Sequence, residues 1–236
     1  MTRLSNNDRH QTRRGFLMRV LAALTVPSLI STRTAEGAFV KEALPPFDLS
    51  FMEDAFLLMR REVWTREEPR VWLLREAGAF DRITVHHQGG RQSITRVQNA
   101  VAAEIDAIYG GHRNRRYGDI AYHFIIDYAG RVWEGRSLAY EGAHVSHQNT
   151  RNLGVLLLGN FEKQSPSQES IATTTMLVDL LRDRFGIKRH RVYGHRDLGS
   201  SVCPGKHLYP HVVALRKGEG GSSAPTVIKG EEHDIG

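Results

Sequence analysis

The feature that most constrains the fold is a continuous apolar segment at residues 153–158, LGVLLL. A strand with one face in water alternates apolar and polar residues, whereas a strand buried on both faces is apolar almost throughout. The segment therefore predicts a central strand, covered on both sides of its sheet.

Other segments have the composition of strands. Residues 83–86 are apolar and β-branched, and residues 121–127 alternate and are rich in aromatic and β-branched side chains. After a turn, residues 131–134 return as the second strand of a predicted hairpin. Residues 191–194 form the last predicted strand.

Helical periodicity marks three segments. An amphipathic run at residues 51–63 predicts a helix packed on the main domain, and apolar residues recur at helical spacing over residues 94–108. A third helix is predicted to begin with Ser165 as N-cap and to end at Gly186. Its predicted core face consists of Ile171, Thr174, Val178, Leu181 and Phe185. The order strand, helix, hairpin, strand, helix, strand predicts a single α/β domain with a mixed central sheet covered by helices.

The amino-terminal segment resembles an export signal. Paired arginines within residues 12–17, TRRGFL, precede an apolar stretch at residues 17–30 that is short for a membrane span. This order is similar to a twin-arginine signal and predicts passage through the export machinery to the periplasm or cell envelope. An amphipathic surface helix with two incidental arginines is the alternative. Both cleavage before Ala38 and retention as an uncleaved anchor stay open.

These observations divide the chain into four parts. Residues 1–37 are the predicted signal segment, residues 38–80 an extension with an amphipathic helix, and residues 81–215 the main domain. Residues 216–236 are polar and glycine-rich, and predict a disordered tail. We expect a monomer.

Charge and cysteine content narrow the possible functions. Much of the net charge of +6 comes from the signal segment, and no long basic run interleaved with aromatic residues follows it, so we expect no nucleic-acid partner. A mildly positive surface suits an anionic polymer such as a cell wall. Cys203 is the only cysteine, so an internal disulfide is excluded. In an oxidising compartment a lone thiol is a liability unless it is buried or bound.

Three residues at the ends of predicted elements make a candidate metal site. His86 ends the first strand, His195 follows the last strand, and Cys203 lies across a short loop from His195. Zinc prefers imidazole nitrogen and thiolate sulfur, and three protein ligands leave one position for water, as in catalytic zinc sites. From the residues alone, other interpretations remain open, because a strand-end histidine is often packed or exposed and a buried cysteine is often inert.

Several short motifs, in the same order along the chain, resemble one enzyme family, the zinc-dependent N-acetylmuramoyl-L-alanine amidases. The fold of that family is shared with peptidoglycan recognition proteins and certain phage lysozymes. The likeness spans roughly residues 62–210. The motifs are residues 83–87 (ITVHH), 119–124 (DIAYHF), 142–144 (GAH), 192–197 (VYGHRD) and 203–205 (CPG).

The resemblance implies a set of catalytic residues. His86, His195 and Cys203 match the three zinc ligands. Tyr122 matches a tyrosine beside the metal that orients water or donates to the oxyanion, although a strand tyrosine often simply packs. Ser201 lies where relatives carry Lys, Thr or Ser near the oxyanion, and a loop serine that bonds its own backbone is the alternative.

The resemblance also implies a substrate. His144 and Asn149 match positions that line the substrate groove, and His87 is left as a neighbour that packs or forms a hydrogen bond. The implied reaction is zinc-dependent hydrolysis of the amide bond between N-acetylmuramic acid and L-alanine, with peptidoglycan or muropeptides as substrate.

One departure from the family pattern affects the mechanism. Some branches place a glutamate general base where this chain has Leu156 and use aspartate as third ligand, so this chain resembles the tyrosine-using, cysteine-ligated branch. The group that takes the proton from water is therefore left open. Two other functions also remain: a non-catalytic peptidoglycan-binding module, and a hydrolase with Cys203 as nucleophile and His195 as base.

Overall fold

A computed structural model describes residues 47–219. The predicted signal segment, the start of the predicted extension and residues 220–236 lie outside this range. Within it, none of the helices combines the length and the apolar character needed to cross a membrane.

In the described part of the chain, six strands form one mixed sheet: β1 (Leu58–Met59), β2 (Arg82–His87), β3 (Phe124–Ile126), β4 (Val132–Glu134), β5 (Asn152–Leu157) and β6 (Val192–Gly194). Their order across the sheet is β1-β4-β3-β5-β2-β6. β3 and β4 pair antiparallel, as the predicted hairpin requires, and the other neighbours pair parallel. β5 lies between β3 and β2, as its apolar run predicted. The predicted α/β fold is confirmed.

Among residues 47–219, four α-helices accompany the sheet: α1 (Ser50–Glu53), α2 (Gln98–Asn114), α3 (Gln168–Phe185) and α4 (Tyr209–Lys217). Neighbouring residues of a strand point to opposite faces, so β5 contributes Val155 to one core cluster and Leu156 to the other. α3 and α4 bury apolar side chains in the first cluster, and α2 buries its own in the second. Both faces of the sheet are therefore covered.

The predicted helix at residues 51–63 is wrong. The segment contains the last three residues of the four-residue α1, the edge strand β1 and a 3₁₀ turn at Arg61–Val63. Met52 packs in the first core cluster, whereas Met59 and Trp64 pack in the second, on the opposite face of the sheet. A single helix along one face cannot reach both clusters, so the chain crosses the sheet edge by pairing β1 with β4.

Two helix boundaries differ from the prediction. α2 begins at Gln98 and ends at Asn114, and the side chains of Ile94 and Val97 are 66% and 65% exposed rather than part of its core face. The N-cap of α3 is Ser167, not Ser165, because the Ser167 hydroxyl oxygen accepts a hydrogen bond from the Ser170 N–H at 3.0 Å.

At the end of α3, Gly186 adopts a left-handed conformation with φ of 66°, as predicted. Ile171 and Phe185 are only partly buried, while Thr174, Val178 and Leu181 lie in the core. The sequence analysis did not identify α4. It buries Val212 and Leu215 and runs to Lys217, so helical structure continues into the first residues of the predicted tail.

Candidate active site

Two neighbouring parallel strands bring the two candidate histidine ligands together. β2 and β6 pair so that Val85 lies opposite Gly194. His86 follows Val85 in the chain, and His195 follows Gly194, so both histidines lie at the carboxyl-terminal ends of β2 and β6. His86 is buried and His195 is partly buried, with ring centroids 4.8 Å apart.

The loop after His195 returns Cys203 to the same place. The Arg196 N–H donates to the Cys203 carbonyl at 2.8 Å, and the His87 N–H donates to Cys203 Sγ at 3.3 Å. Cys203 Sγ lies 3.6 Å from His86 Nδ1. The candidate ligand atoms of His86, His195 and Cys203 all lie within 4.8 Å of one another. Residues that are far apart in sequence thus form one nitrogen- and sulfur-rich group.

The hydrogen bonds of His144 assign the protonation of His86. His144 Nε2 lies 3.1 Å from the Asn152 carbonyl oxygen, which can only accept, so Nε2 carries the proton. In the neutral ring Nδ1 is then an acceptor, and it lies 3.0 Å from His86 Nε2. His86 Nε2–H therefore donates to His144, which leaves the lone pair of His86 Nδ1 directed at Cys203.

His144 lies in a slot made by two glycines. A Cβ added to Gly142 would lie 2.3 Å from His144 Cδ2, and one added to Gly154 would lie 2.5 Å from the same atom. Asn149 holds the backbone of this segment, since its Oδ1 accepts from the N–H groups of His144 and Val145 at 2.9 and 2.8 Å.

These contacts bear on the predicted substrate-binding pair. Both ring nitrogens of His144 bond to protein atoms and only 7% of the residue is exposed. Asn149 lines a cavity, but its amide oxygen already bonds the backbone. Substrate binding by His144 and Asn149 stays a prediction, and the observed contacts give both residues a structural part in holding the site.

In the absence of a bound cation, burial controls the protonation of His86, His195 and Cys203. Burial, and then the neighbouring His144 and His195, lower the pKa of His86 well below its ordinary value, and burial also lowers the pKa of His195. Burial raises the pKa of the Cys203 thiol to about 12, although the His87 N–H and Arg196 oppose the rise. At neutral pH the protein alone therefore presents neutral imidazoles and a thiol.

Tyr122 lies beside this group and lines a cavity of about 230 Å³. Its ring centroid is 5.1 Å from that of His86, and it stacks on His144 at 6.1 Å. Burial, followed by Cys203 and Tyr117, raises the pKa of the Tyr122 hydroxyl, so the phenol remains a hydrogen-bond donor at neutral pH. The other lining residues are Gln88, Ala107, Ile108, Gly111, His112, Arg115 and Leu156.

The remaining sequence-identified residues have defined contacts. The Ser201 hydroxyl oxygen accepts from the Cys203 N–H at 3.1 Å, which is the local backbone bond considered as its alternative role. His87 accepts the Phe161 N–H at Nδ1, 3.1 Å away, as expected for a packed neighbour. Leu156 is fully buried, so the strand presents no carboxylate where other branches carry glutamate.

His112 is a residue of the site that the sequence analysis missed. Its Nδ1 accepts the Ala121 N–H at 3.1 Å, which leaves Nε2–H as a donor in the neutral ring. Burial, with help from Arg115 and Arg136, lowers its pKa to about 4, so the ring is neutral at pH 7. His112 lies on α2 and meets Tyr122 only through the tertiary fold, so helical periodicity carried no signal for it.

The chain is similar in sequence to peptidoglycan-recognition proteins and to an N-acetylmuramoyl-L-alanine amidase. The chain is 34% identical over 96 residues to peptidoglycan-recognition protein SD of Drosophila simulans, covering 40% of this chain and 52% of that protein. It is 30% identical over 135 residues to peptidoglycan-recognition protein SC2 of Drosophila melanogaster, covering 54% of this chain and 70% of that protein. It is 31% identical over 125 residues to a human N-acetylmuramoyl-L-alanine amidase, covering 49% of this chain but 22% of that protein. The chain thus spans about half the length of the first of these relatives.

Solved structures agree on the fold. The amidase LysC from Clostridium intestinale superposes with a TM-score of 0.57 at 20% identity, covering 68% of this chain and 97% of that one. Drosophila peptidoglycan recognition protein SD superposes with a TM-score of 0.60 at 23% identity, covering 66% and 92%. A variant of Drosophila PGRP-LB in complex with tracheal cytotoxin gives a TM-score of 0.61 at 20% identity, covering 66% and 93%.

The family match covers the whole candidate site. The family model Amidase_2, described as N-acetylmuramoyl-L-alanine amidase, matches residues 76–206, which is more than half of the chain. This range includes His86, Tyr122, His144, His195 and Cys203. The chain therefore belongs to the N-acetylmuramoyl-L-alanine amidase family that also includes peptidoglycan-recognition proteins.

Proposed function

We propose that this protein is a zinc-dependent amidase that hydrolyses the bond between N-acetylmuramic acid and L-alanine in peptidoglycan or its fragments. The observation that carries the proposal is the convergence of His86, His195 and Cys203, with all ligand atoms within 4.8 Å. A module that only binds peptidoglycan has no need of three such donors beside a cavity. The relatives named for peptidoglycan recognition, and the one bound to tracheal cytotoxin, support peptidoglycan fragments as the ligand class.

The donor set fits zinc in chemistry, and one of its donor pairs also fits zinc in spacing. Two imidazoles and a thiolate are typical zinc ligands, with Zn–N of about 2.0–2.1 Å and Zn–S of about 2.3 Å. At a tetrahedral angle these bond lengths place nitrogen and sulfur about 3.6 Å apart, and His86 Nδ1 and Cys203 Sγ are separated by 3.6 Å. The hydrogen bond to His144 directs the lone pair of His86 toward the same point.

The residues around the donor set supply the rest of the chemistry. When bound, zinc would act as a Lewis acid: it would lower the pKa of water toward neutrality, so that hydroxide is available as the nucleophile, and it would polarise a carbonyl group. Tyr122 keeps its hydroxyl proton and donates it in a hydrogen bond to the oxygen that gains charge at the scissile carbonyl. Hydrolysis then leaves a lactyl carboxylate on the sugar and a free amine on L-alanine.

Ser201 is the second proposed donor. Its hydroxyl oxygen accepts the Cys203 N–H, which leaves the hydroxyl proton available to a substrate oxygen. His112 is a neutral N–H donor with its other nitrogen already bonded, so it is unsuited to act as the base.

A thiol with a pKa of about 12 argues against Cys203 as a nucleophile. Without a cation, burial keeps the sulfur protonated, and His86 Nδ1 faces it at 3.6 Å. A nucleophilic mechanism with His195 as base also leaves His86 and Tyr122 without a role. Binding of a divalent cation gives all three donors a common partner.

Digestion of a purified muropeptide tests the proposal. We expect mass spectrometry to show a free stem peptide, no cleavage after chelation, and recovery on adding zinc. Cys203→Ala should lose zinc and hydrolysis together, whereas His190→Ala, at an exposed histidine, should retain both. Binding of the muropeptide without cleavage by the zinc-loaded protein would instead identify a recognition module. Activity that survives chelation but is lost on thiol alkylation would identify a cysteine nucleophile.

We also propose that the protein acts outside the cytoplasm. The support is the TRRGFL motif of residues 12–17 and the apolar stretch after it, which lie outside the described residues. Replacement of Arg13 and Arg14 by lysine should leave the protein in the cytoplasm, as measured by cell fractionation. Unchanged export of this double variant would contradict the proposal.

A further inference from the structure

A long groove runs along α2 away from the candidate active site. It has a volume of about 730 Å³ and shares Gln88, Ala107 and Ile108 with the smaller cavity that contains Tyr122. It reaches Ala100 of α2, which lies twelve residues before His112 of the smaller cavity, a distance of about 18 Å along the helix at 1.5 Å per residue. A substrate held at Tyr122 can therefore continue into the groove without leaving the protein surface.

The groove is electrically neutral. Its polar lining includes Gln88, Gln92, Ser93 and Thr95, which offer amide and hydroxyl groups. Its charged lining residues are one cation, Arg91, and one anion, Glu104, so their formal charges cancel.

A second cavity near the site is cationic instead. It has a volume of about 480 Å³ and is lined by Arg75, Arg116 and Arg136 with a single acid, Glu141. Its lining also includes Gly142 and Ala143, which precede His144 in the chain.

The two parts of the proposed substrate, the stem peptide and the glycan, also differ in charge. The peptide arm carries carboxylates, whereas an N-acetylated glycan carries hydroxyl and acetamido groups and no charge once the lactyl group is in its amide bond. The neutral groove therefore matches the glycan, and the cationic cavity is better suited to carboxylates.

Glu104 gives the groove a fixed hydrogen-bond acceptor. Its Oε2 accepts the Ser93 hydroxyl proton at 2.7 Å, while its buried Oε1 has no hydrogen-bond partner in the part of the chain that the structure describes. Gln164 holds Ser93 in place, since the Ser93 N–H donates to Gln164 Oε1 at 3.0 Å and Gln164 Nε2 donates to the Ser93 carbonyl at 2.9 Å. A carboxylate with a free oxygen and no cation paired to it among residues 47–219 suits a sugar hydroxyl, which donates without bringing charge.

Apolar surface completes the groove. Ala100, Ala103 and Ala107 present small side chains along one side of α2, and Ile94 is 66% exposed at the opening. Small residues leave room for a ring to lie flat, and the C–H faces of a sugar can cover the exposed isoleucine. The lining therefore combines polar groups for hydroxyls with apolar groups for ring faces.

We propose that the groove along α2 binds the glycan strand on which the cleaved muramic acid is carried, so that the enzyme prefers glycan chains of several sugars to single-sugar fragments. The proposal rests on the proposed amidase function. Glu104 and Ser93 form its polar centre, and the alanines of α2 form its floor.

Hydrolysis of muropeptides with one, two and six sugars on the same stem peptide tests the proposal. We expect kcat/KM of the zinc-loaded protein to be about tenfold higher for six sugars than for one, the equivalent of one or two net hydrogen bonds. Ala100→Trp, which fills the groove from an exposed helix position, should bring this ratio close to one. Glu104→Gln should lower the six-sugar to one-sugar ratio of kcat/KM several-fold. It is the second test variant if the tryptophan variant fails to fold. Asp106→Trp, an exposed position of α2 that does not line the groove, is the matched control and should keep the wild-type ratio.

Calorimetric binding of chitohexaose, an N-acetylated glycan without stem peptides, separates this proposal from the amidase function. We expect binding that Ala100→Trp weakens at least tenfold and Asp106→Trp leaves unchanged. Chitohexaose binding of this kind without hydrolysis of any muropeptide would overturn the amidase proposal and retain the glycan groove. Equal kcat/KM for all three glycan lengths, or binding that Ala100→Trp and Glu104→Gln leave unchanged, would overturn the glycan groove.

Discussion

His86 Nε2 and His144 Nδ1 lie 3.0 Å apart, and this hydrogen bond determines which nitrogen of His86 faces Cys203. The chain of bonds begins at the Asn152 carbonyl, which fixes the proton of His144 on Nε2. Metal-binding histidines usually donate their second ring N–H to a group that orients them. In this protein the acceptor is another imidazole, itself buried.

Replacement of His144 by phenylalanine should weaken zinc binding while the fold is retained. The phenyl ring fills a similar slot but cannot accept the His86 Nε2–H, so we expect the zinc dissociation constant to rise roughly 10–100-fold. Competition with a chromophoric chelator measures this change, and circular dichroism checks the fold. His190→Phe, at an exposed position, is the control. An unchanged zinc affinity in a folded His144→Phe protein would show that the hydrogen bond has no part in metal binding.

Gly154→Ala should disturb the same site without removing a polar group. The added Cβ would lie 2.5 Å from His144 Cδ2, so the imidazole must move. We expect a loss of about 1–3 kcal/mol in the free energy of unfolding, typical of overpacking, together with weaker zinc binding. Denaturant titration and chelator competition measure the two effects. Gly78→Ala, an exposed glycine with no atom within 4 Å of an added Cβ, should change neither.

Tyr122→Phe should slow hydrolysis without releasing zinc. Loss of one donor to a developing oxyanion typically lowers kcat by roughly 10²–10³, and the proposed zinc ligands are His86, His195 and Cys203. Steady-state kinetics on a muropeptide and metal analysis of the purified variant test both parts. Tyr128→Phe, at a tyrosine that packs near Arg96 instead, serves as the control. Full turnover in Tyr122→Phe would return this tyrosine to a packing role.

His123 should make the protein sensitive to acid. Its Nδ1 accepts the Gly154 N–H and its Nε2–H donates to the Tyr140 carbonyl, so the folded protein holds a neutral ring. Burial lowers the pKa of His123 to about 3, against an ordinary value of 6.5. The unfolded state binds the proton more readily than the folded state. The contribution of neutral His123 to the free energy of unfolding is therefore complete above pH 6.5 and is lost as the pH falls from 6.5 toward 3. In this range the free energy of unfolding should fall by about 1.4 kcal/mol per pH unit for the one proton bound.

Unfolding of the zinc-free protein at several pH values measures this slope. His123→Gln removes the titrating group and should reduce the slope by about one proton, while poorer packing of the glutamine should lower its stability at pH 7. His190→Gln keeps His123 and should show the wild-type slope. An unchanged slope in His123→Gln would assign the acid sensitivity to other groups, such as His144, whose pKa burial also lowers to about 3.

The central strands and the candidate ligands could be predicted from the sequence, whereas the structure of the amino-terminal extension could not. The apolar run of β5 and the hairpin β3–β4 carry strong local patterns, and both were predicted correctly. The 51–63 segment also has helical spacing, but Met52 and Met59 pack on opposite faces of the sheet. Periodicity reports one preferred face and cannot show that a segment crosses a sheet edge, so the prediction of a helix failed.

The sequence by itself determined the order of the elements from β2 to β6, the buried central strand and the motifs that contain His86, His195 and Cys203. Local composition and spacing are enough for these elements, because each depends on neighbours in the chain, whereas the motifs indicate metal ligands through their resemblance to the amidase family. Only the tertiary structure decided that the Nε2 proton of His86 points to His144, that His112 meets Tyr122, and that a neutral groove leads away along α2. Those relationships join residues distant in sequence, and they depend on the register of parallel strands and the packing of α2 on the sheet.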